Sequence, residues 1–285
     1  TIIDRHNNAS IALEQTGTND ASSLRSADAF QNDTQSIVTR LGAEGMDVYV
    51  ATLPPILDAA SGLSSTRNQR IDTYNSRIAN DLTGAMPGAD IWSFLAPDDD
   101  NDGTADRIRT DLYADDLHPN ALGHAIIAEL WYNVLLGDAT GTAMVPFVAD
   151  FLSQANYRQN LLEAGDEYLV DSPAELTAMP GSLESAVWIM TAQNDAGNNS
   201  SSFLTFELDR GATVYVAYDS DATSLPDWLN PATSAFVSTG LQLTTTQTTY
   251  QVYSRSVSVG TVTLGGNNAT GAAGASDMYL VGLLP

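Results

Sequence analysis

Asp115-Asp116-Leu117-His118-Pro119 leads directly into Asn120-Ala121-Leu122-Gly123-His124-Ala125-Ile126-Ile127, a proline-stiffened loop followed by a helix-like run. A carboxylate three residues before a histidine can hold one imidazole nitrogen and leave the other free as general base. Working back from this loop, residues 89–94 read as a short strand. Residues 66–82 carry Ile71, Tyr74, Ile78 and Leu82 at helical spacing, and 46–53 are apolar and strand-like. Residues 27–41 read as a helix and 9–15 as a strand. Beyond the loop, 121–136 repeats apolar residues at three and four, as a core-facing helix does. Strand–helix alternation of this kind means a parallel sheet with helices on both faces.

The 9–15 strand runs into Gly17-Thr18-Asn19-Asp20. A Gly-x-Asn-Asp turn after a strand, with Asp-x-x-His-Pro before a helix about a hundred residues later, resembles the SGNH (GDSL) hydrolase family. The resemblance covers residues 1–136 and implies a flavodoxin-like, three-layer α/β hydrolase domain. It implies that Asn19 donates its amide to an oxyanion, that Asp115 orients the imidazole, and that His118 carries the proton. Donors aimed at a developing oxyanion contribute about 3–4 kcal/mol each. Asp116 is adjacent, but its spacing to His118 is wrong for the orienting role. His124 reads as a helix-face residue, and His6 has no motif around it.

The family's nucleophile is a serine in a Gly-Asp-Ser block ahead of the Gly-x-Asn-Asp block, and this sequence has no such block. The one serine before Gly17, Ser10, lies inside the strand and not in the sharp strand-to-helix turn that exposes such a hydroxyl. Thr1 as an amino-terminal nucleophile lacks the surrounding fold pattern for that chemistry. The α/β domain therefore reads as incomplete, short of its nucleophile and its interior first strand. A missing amino-terminal fragment, or a second copy, is expected to fill the open sheet edge beside 9–15, where backbone groups would otherwise go unpaired.

Asp98-Asp99-Asp100-Asn101-Asp102-Gly103-Thr104-Ala105-Asp106 places aspartates at relative positions 1, 3, 5 and 9 around a glycine at 6. Hard oxygen ligands at alternating positions around a glycine turn suit calcium. The candidate ligands are Asp98, Asp100, Asp102 and Asp106. Arg109 stands where a full EF-hand would carry glutamate, so the likeness is to the shorter loops of dockerin or thrombospondin type-3 repeats. The ion would be structural, fixing the loop just ahead of His118.

Residues 137–156 read as a connector of small residues with one short apolar helix over 145–152. From 157 to 285 short strands at 187–190, 203–206, 214–218, 250–253 and 278–281 alternate with Gly, Asn, Asp and Pro turns, the pattern of a β-sandwich or jelly roll. This part looks like the accessory modules of secreted bacterial polysaccharide-active enzymes. Trp188 reads as core. Trp228, in Leu225-Pro226-Asp227-Trp228-Leu229, is the candidate exposed ring, and Tyr215 and Tyr218 could join a sugar-stacking platform.

The formal net charge is −24, and all 11 basic residues are arginine. Such a surface cannot neutralise a run of phosphates, which argues against nucleic acid and equally against an anionic membrane. It stays soluble at high ionic strength, where repulsion among carboxylates is screened; a marine or salt-adapted bacterial source fits. Cysteine is absent, so there is neither a disulfide framework nor a thiolate metal site. No apolar run reaches the ~18 residues of a membrane span. The calcium-like loop and the accessory module point to a secreted or periplasmic protein.

The expected function is a serine-dependent carboxylic ester hydrolase that removes acetyl groups from polysaccharide. A non-catalytic carbohydrate-binding protein with a remnant hydrolase domain is the alternative. A nucleophilic serine upstream of Thr1 would separate the two.

Overall fold

The structure is a computed structural model that describes residues 9–58, 61–136, 147–154, 156–208 and 210–285. Thr1, His6 and most of the expected connector lie outside the described residues. The chain divides into two compact units, Thr1–Ala143 and Met144–Pro285.

The first unit is built on a parallel sheet of three strands, β1 (Ile11–Glu14), β2 (Asp47–Val50) and β3 (Ala85–Pro87), in that spatial order. Helix α1 (Thr18–Ser22) follows β1, and α2 (Ala27–Ala43) leads to β2. Ser26 caps α2 by accepting from the N–H of Ala29, and Phe30, Thr34 and Val38 form its buried stripe. Val38 packs with Met46, Val48 and Val50, with Ala12 of β1 against the same cluster. On the other face of β1, Ile11 and Leu13 are 46% and 48% exposed. Among the described residues β2 is the one strand that pairs with β1.

Helix α3 (Thr66–Asn80) is capped by Ser65 and buries Asn68, Ile71, Tyr74 and Asn75. Phe30 and Tyr74 stack with ring centroids 4.1 Å apart, in a cluster with Ala21, Leu53, Ile56 and Ile71. The two asparagines hold the segment that leaves β2. Asn75 accepts from the N–H of Leu53 at 2.7 Å and donates to its carbonyl at 3.1 Å. Asn68 does the same to Ile56, at 2.8 and 2.7 Å.

Helix α4 (Ile91–Leu95) replaces the strand expected over 89–94. Asp90 starts it by accepting from the N–H of Ser93, and the strand is instead Ala85–Pro87. Helix α5 (Ala121–Leu136) closes the unit, its Trp131 indole donating to Gln15 just past β1 at 3.2 Å.

The second unit is a β-sandwich of two antiparallel sheets. Its strands are β4 (Val148–Phe151), β5 (Arg158–Leu161), β6 (Leu176–Ala178), β7 (Val187–Met190), β8 (Leu204–Leu208), β9 (Ala212–Asp219), β10 (Val237–Thr245), β11 (Thr249–Val257), β12 (Gly260–Leu264) and β13 (Leu280–Leu284). Seven lie in the order β5-β7-β13-β9-β11-β10-β6 and three in the order β12-β8-β4.

Strand β4 corrects the helix expected over 145–152, of which 145 and 146 lie outside the described residues. Its pairing with β8 and a two-way bond from the Gln159 amide to the N–H and carbonyl of Val148, both at 2.8 Å, decide the outcome. The stretch assigned to the connector thus contributes a strand to the sandwich. Trp188 is core, its ring lying over Gly282, where an added Cβ would meet it at 3.0 Å. Tyr218 is fully buried. Trp228 is no free platform: it is half-buried, edge-on to Tyr279 and Phe236, and its indole donates to the carbonyl of Gly266 at 3.0 Å.

Asn75→Ala is expected to leave the buried N–H and carbonyl of Leu53 without partners, at about 1–3 kcal/mol per orphaned group. Denaturant unfolding of the first unit measures this, with the exposed Asn80→Ala as a control that stays within about 0.5 kcal/mol.

Candidate active site

The loop carrying Asp115 and His118 is closed at its base. Tyr113 and Pro119 form a bridge, Ala114 donates to the carbonyl of His118 at 2.9 Å, and Asn120 donates to that of Leu112 at 2.8 Å. Asn120 caps α5: its side-chain carbonyl oxygen accepts from the N–H of Gly123 at 2.9 Å, and its amide donates to the carbonyl of Asp111. The hydroxyl of Tyr113 donates to the carbonyl of Pro55 at 2.6 Å, fastening the loop to the segment that Asn68 and Asn75 hold. Burial pushes that hydroxyl well above the usual phenol range, so it remains a donor.

Within the loop, Oδ1 of Asp115 accepts from the N–H groups of Leu117 (2.8 Å) and His118 (2.7 Å). Both carboxylate oxygens also lie against Nδ1 of His118, at 3.0 and 2.9 Å. The hydrogen bond from His118, followed by the two backbone N–H groups, holds the Asp115 carboxyl down at about 2. An ionised carboxylate only accepts, so the ring carries its proton on Nδ1 and presents Nε2 as the acceptor. Among the described residues Asp115 is the one side-chain partner of the His118 ring, which is 67% exposed. His124 stands on the exposed face of α5, apart from this bonding.

Asn19 lies on α1, its side chain exposed. Gly17 before it adopts φ +134° and is buried so closely that an added Cβ would sit 2.5 Å from the Phe30 ring and 2.9 Å from Leu53. That contact sets where α1 starts. Ala21, two residues after Asn19, and Leu117, next to His118, pack on the same cluster around Phe30 and Tyr74. The two motifs thus share one support.

In the acidic loop the carboxylates of Asp98, Asp100 and Asp106 each offer an oxygen within 4.8 Å of the others. Asp102 is not among them. Its carboxylate turns back to accept from the N–H of Thr104, and its own N–H donates to Asp98 and Asp100. Three hard oxygen donors suit calcium in kind.

Asn68, Asn75, Tyr113 and Asn120 went unmarked in the sequence. The one available signal was two asparagines seven residues apart on the buried stripe of a helix.

No curated protein matches the chain. Two solved structures are similar over part of their length. A beta-glucuronidase from glycoside hydrolase family 2 shares 17% identity over 47% of this chain and 14% of its own, with a TM-score of 0.41. A GH138 enzyme targeting pectin rhamnogalacturonan II shares 14% over 57% of this chain and 19% of its own, with a TM-score of 0.34. The chain thus spans less than a fifth of the length of either. Residues 6–126 match the GDSL-like Lipase/Acylhydrolase family. The segment that carries Asn19, Asp115 and His118 is accordingly similar to the GDSL-like lipases and acylhydrolases.

Proposed function

We propose that this domain hydrolyses carboxylic esters, acetyl groups on a polysaccharide among them, with His118 as general base. The observation that carries the reading is the grip of Asp115 on Nδ1 of His118, whose side chain is 67% exposed. A serine hydroxyl attacks the ester carbonyl while Nε2 takes its proton. Asn19 and backbone N–H groups stabilise the oxyanion. The tetrahedral intermediate collapses as the imidazolium returns that proton to the departing alkoxide. Water, deprotonated by the same nitrogen, then releases the acid and restores the serine.

In this reading the serine comes from an amino-terminal segment that adds a strand beside β1. The position of β1 at the margin of its sheet, paired among the described residues with β2 alone, supports it. The reading also includes a structural calcium ion on Asp98, Asp100 and Asp106, steadying the chain ahead of the histidine loop. A secreted or periplasmic setting, where calcium is plentiful and acetylated polysaccharide is met, goes with this reading.

In the complete enzyme His118→Ala is expected to lower turnover of a small acyl ester by about 10²–10⁴-fold. Asp115→Asn should fall in the same range, because an amide can stabilise the wrong tautomer. Since the Asp115 carboxyl is depressed to about 2, its grip is complete above the usual carboxylate range and is lost only as pH falls through about 2. An acid limb in the wild-type pH–rate profile near pH ~4 should therefore not report Asp115. Near-normal turnover by a folded His118→Ala protein would remove the assignment.

Chelation is expected to lower the melting temperature, since an ion bound only to the native state stabilises it by mass action. An unchanged melting curve, with no calcium uptake by calorimetry, would leave the loop merely acidic.

The 285-residue protein by itself is expected to lack ester hydrolase activity and to self-associate through β1. Activity assays and sedimentation check both, and full turnover by a monomer would place the nucleophile within this chain.

A further inference from the structure

The histidine loop is tied to Pro55 by the Tyr113 hydroxyl and to Leu57 by the carbonyl of Asp116. A further tether runs to α4 and passes through a buried ion pair. Nη2 of Arg109 lies 3.3 Å from Oδ2 of Asp111, with 5% and 12% of the two side chains exposed. The pairs made by Arg25, Arg77 and Arg107 each leave a third or more of both side chains in solvent. Arg109 is also held by α4. Its N–H donates to the carbonyl of Leu95 at 2.9 Å, and its guanidinium stands over the Phe94 ring, 5.2 Å from the centroid.

Between Arg109 and the loop the chain makes one turn of 3₁₀ helix, Thr110–Leu112, closed by the N–H of Leu112 on the Arg109 carbonyl at 3.1 Å. Asn120 is the next link. Its side-chain amide donates to the Asp111 carbonyl at 3.1 Å, and its N–H to the Leu112 carbonyl at 2.8 Å. The start of α5 presses on the same place, since a Cβ added to Gly123 would meet the Leu112 carbonyl oxygen at 2.5 Å. Tyr113 and Pro119, the bridged feet of the loop, adjoin Leu112 and Asn120 in the chain. Both feet therefore stand on the turn that the ion pair holds.

Stability alone does not account for such a pair. Its desolvation offsets much of its attraction, and apolar residues of like volume in its place are often neutral or stabilising. What a guanidinium held between a carboxylate and an aromatic face adds is one fixed position. We propose that Arg109 and Asp111 are positioning residues for His118, setting through Asn120 where the loop presents the imidazole. The inference rests on the reading of Asp115 and His118 as the hydrolytic pair. Because Asp115 grips the ring from within the loop, a displaced loop carries carboxylate and imidazole together and leaves the tautomer unchanged.

The test is Arg109→Met combined with Asp111→Leu. In the 285-residue protein the melting temperature should stay level or rise, and imidazole nitrogen NMR should still find the His118 proton on Nδ1. NOEs from the Leu117 methyls to the rings of Phe30 and Tyr74, which report the seat of the loop, should weaken severalfold. In the complete enzyme kcat for a small acyl ester should fall by about 10–100-fold, with KM held within about twofold. Asn120→Ser keeps an oxygen to cap α5 but offers no amide to Asp111. It should reproduce these changes with the ion pair intact, and it decides the matter if the double variant does not fold. Unchanged NOEs in a folded variant overturn the proposal, and so does a lower melting temperature with kcat unchanged. Loss of the Nδ1 proton also overturns it, since the loop would then have come apart instead of shifting. Failure of the hydrolytic reading would appear separately, as undiminished ester turnover by His118→Ala in the complete enzyme.

Discussion

Past Val50 the chain leaves the sheet, and side chains take over the hydrogen bonds that a neighbouring strand would otherwise make. Asn75 satisfies both backbone groups of Leu53, Asn68 both of Ile56, and the Tyr113 hydroxyl the carbonyl of Pro55. The N–H of Leu57 then reaches Asp116. Buried backbone polar groups must be paired somewhere, and here the pairing is what locates the chemistry. One side of this segment is α3 and the hydrophobic cluster. The other side is the histidine loop. Weakening the asparagine pair would loosen the support of the histidine loop.

The Asp115–His118 pair, in contrast, is locally made. Asp115 reaches His118 within a single turn and is fixed by the N–H groups of Leu117 and His118. Its low protonation point follows from that crowd of donors and needs no burial. What the rest of the fold contributes is presentation. Leu117 is drawn onto the cluster that also anchors α1, so the imidazole and the helix bearing Asn19 are supported from one core.

Much of this was legible from residues alone, because α2, α3 and α5 carry long apolar stripes of helical period. The misreadings were short. Residues 89–94 contain an apolar run too brief for period to separate helix from strand, and the Asp90 cap decides for helix. Val148–Phe151 is drawn into a sheet by β8, a partner more than fifty residues away. Strand β10 is rich in threonine and serine and mostly exposed, so it offered no apolar signal. Of the site, Asp115 and His118 were visible because their spacing lets the carboxylate reach the imidazole. Asn68 and Asn75 were hidden because polar residues on a buried stripe announce nothing until the backbone they serve is seen. Asp102 was grouped with the other aspartates by spacing alone; its bond to Thr104 N–H belongs to the turn.

The position of β13 in the sandwich has a bearing on how the second unit comes into being. Leu280–Leu284 lies between β7 and β9, joining β5-β7 on one side to β9-β11-β10-β6 on the other. In order of synthesis it follows every other strand of that sheet. While the ribosome is still making the preceding residues, the nascent chain therefore holds two part-sheets, each with an open margin. Val187, Ile189, Val214 and Val216, all fully buried in the finished unit, have no permanent cover until then. Closure waits on contacts between residues far apart in sequence, which slows folding. The sandwich is thus a unit whose larger sheet is completed by its last strand, and the interval before β13 docks is when it is most open to aggregation or to a chaperone.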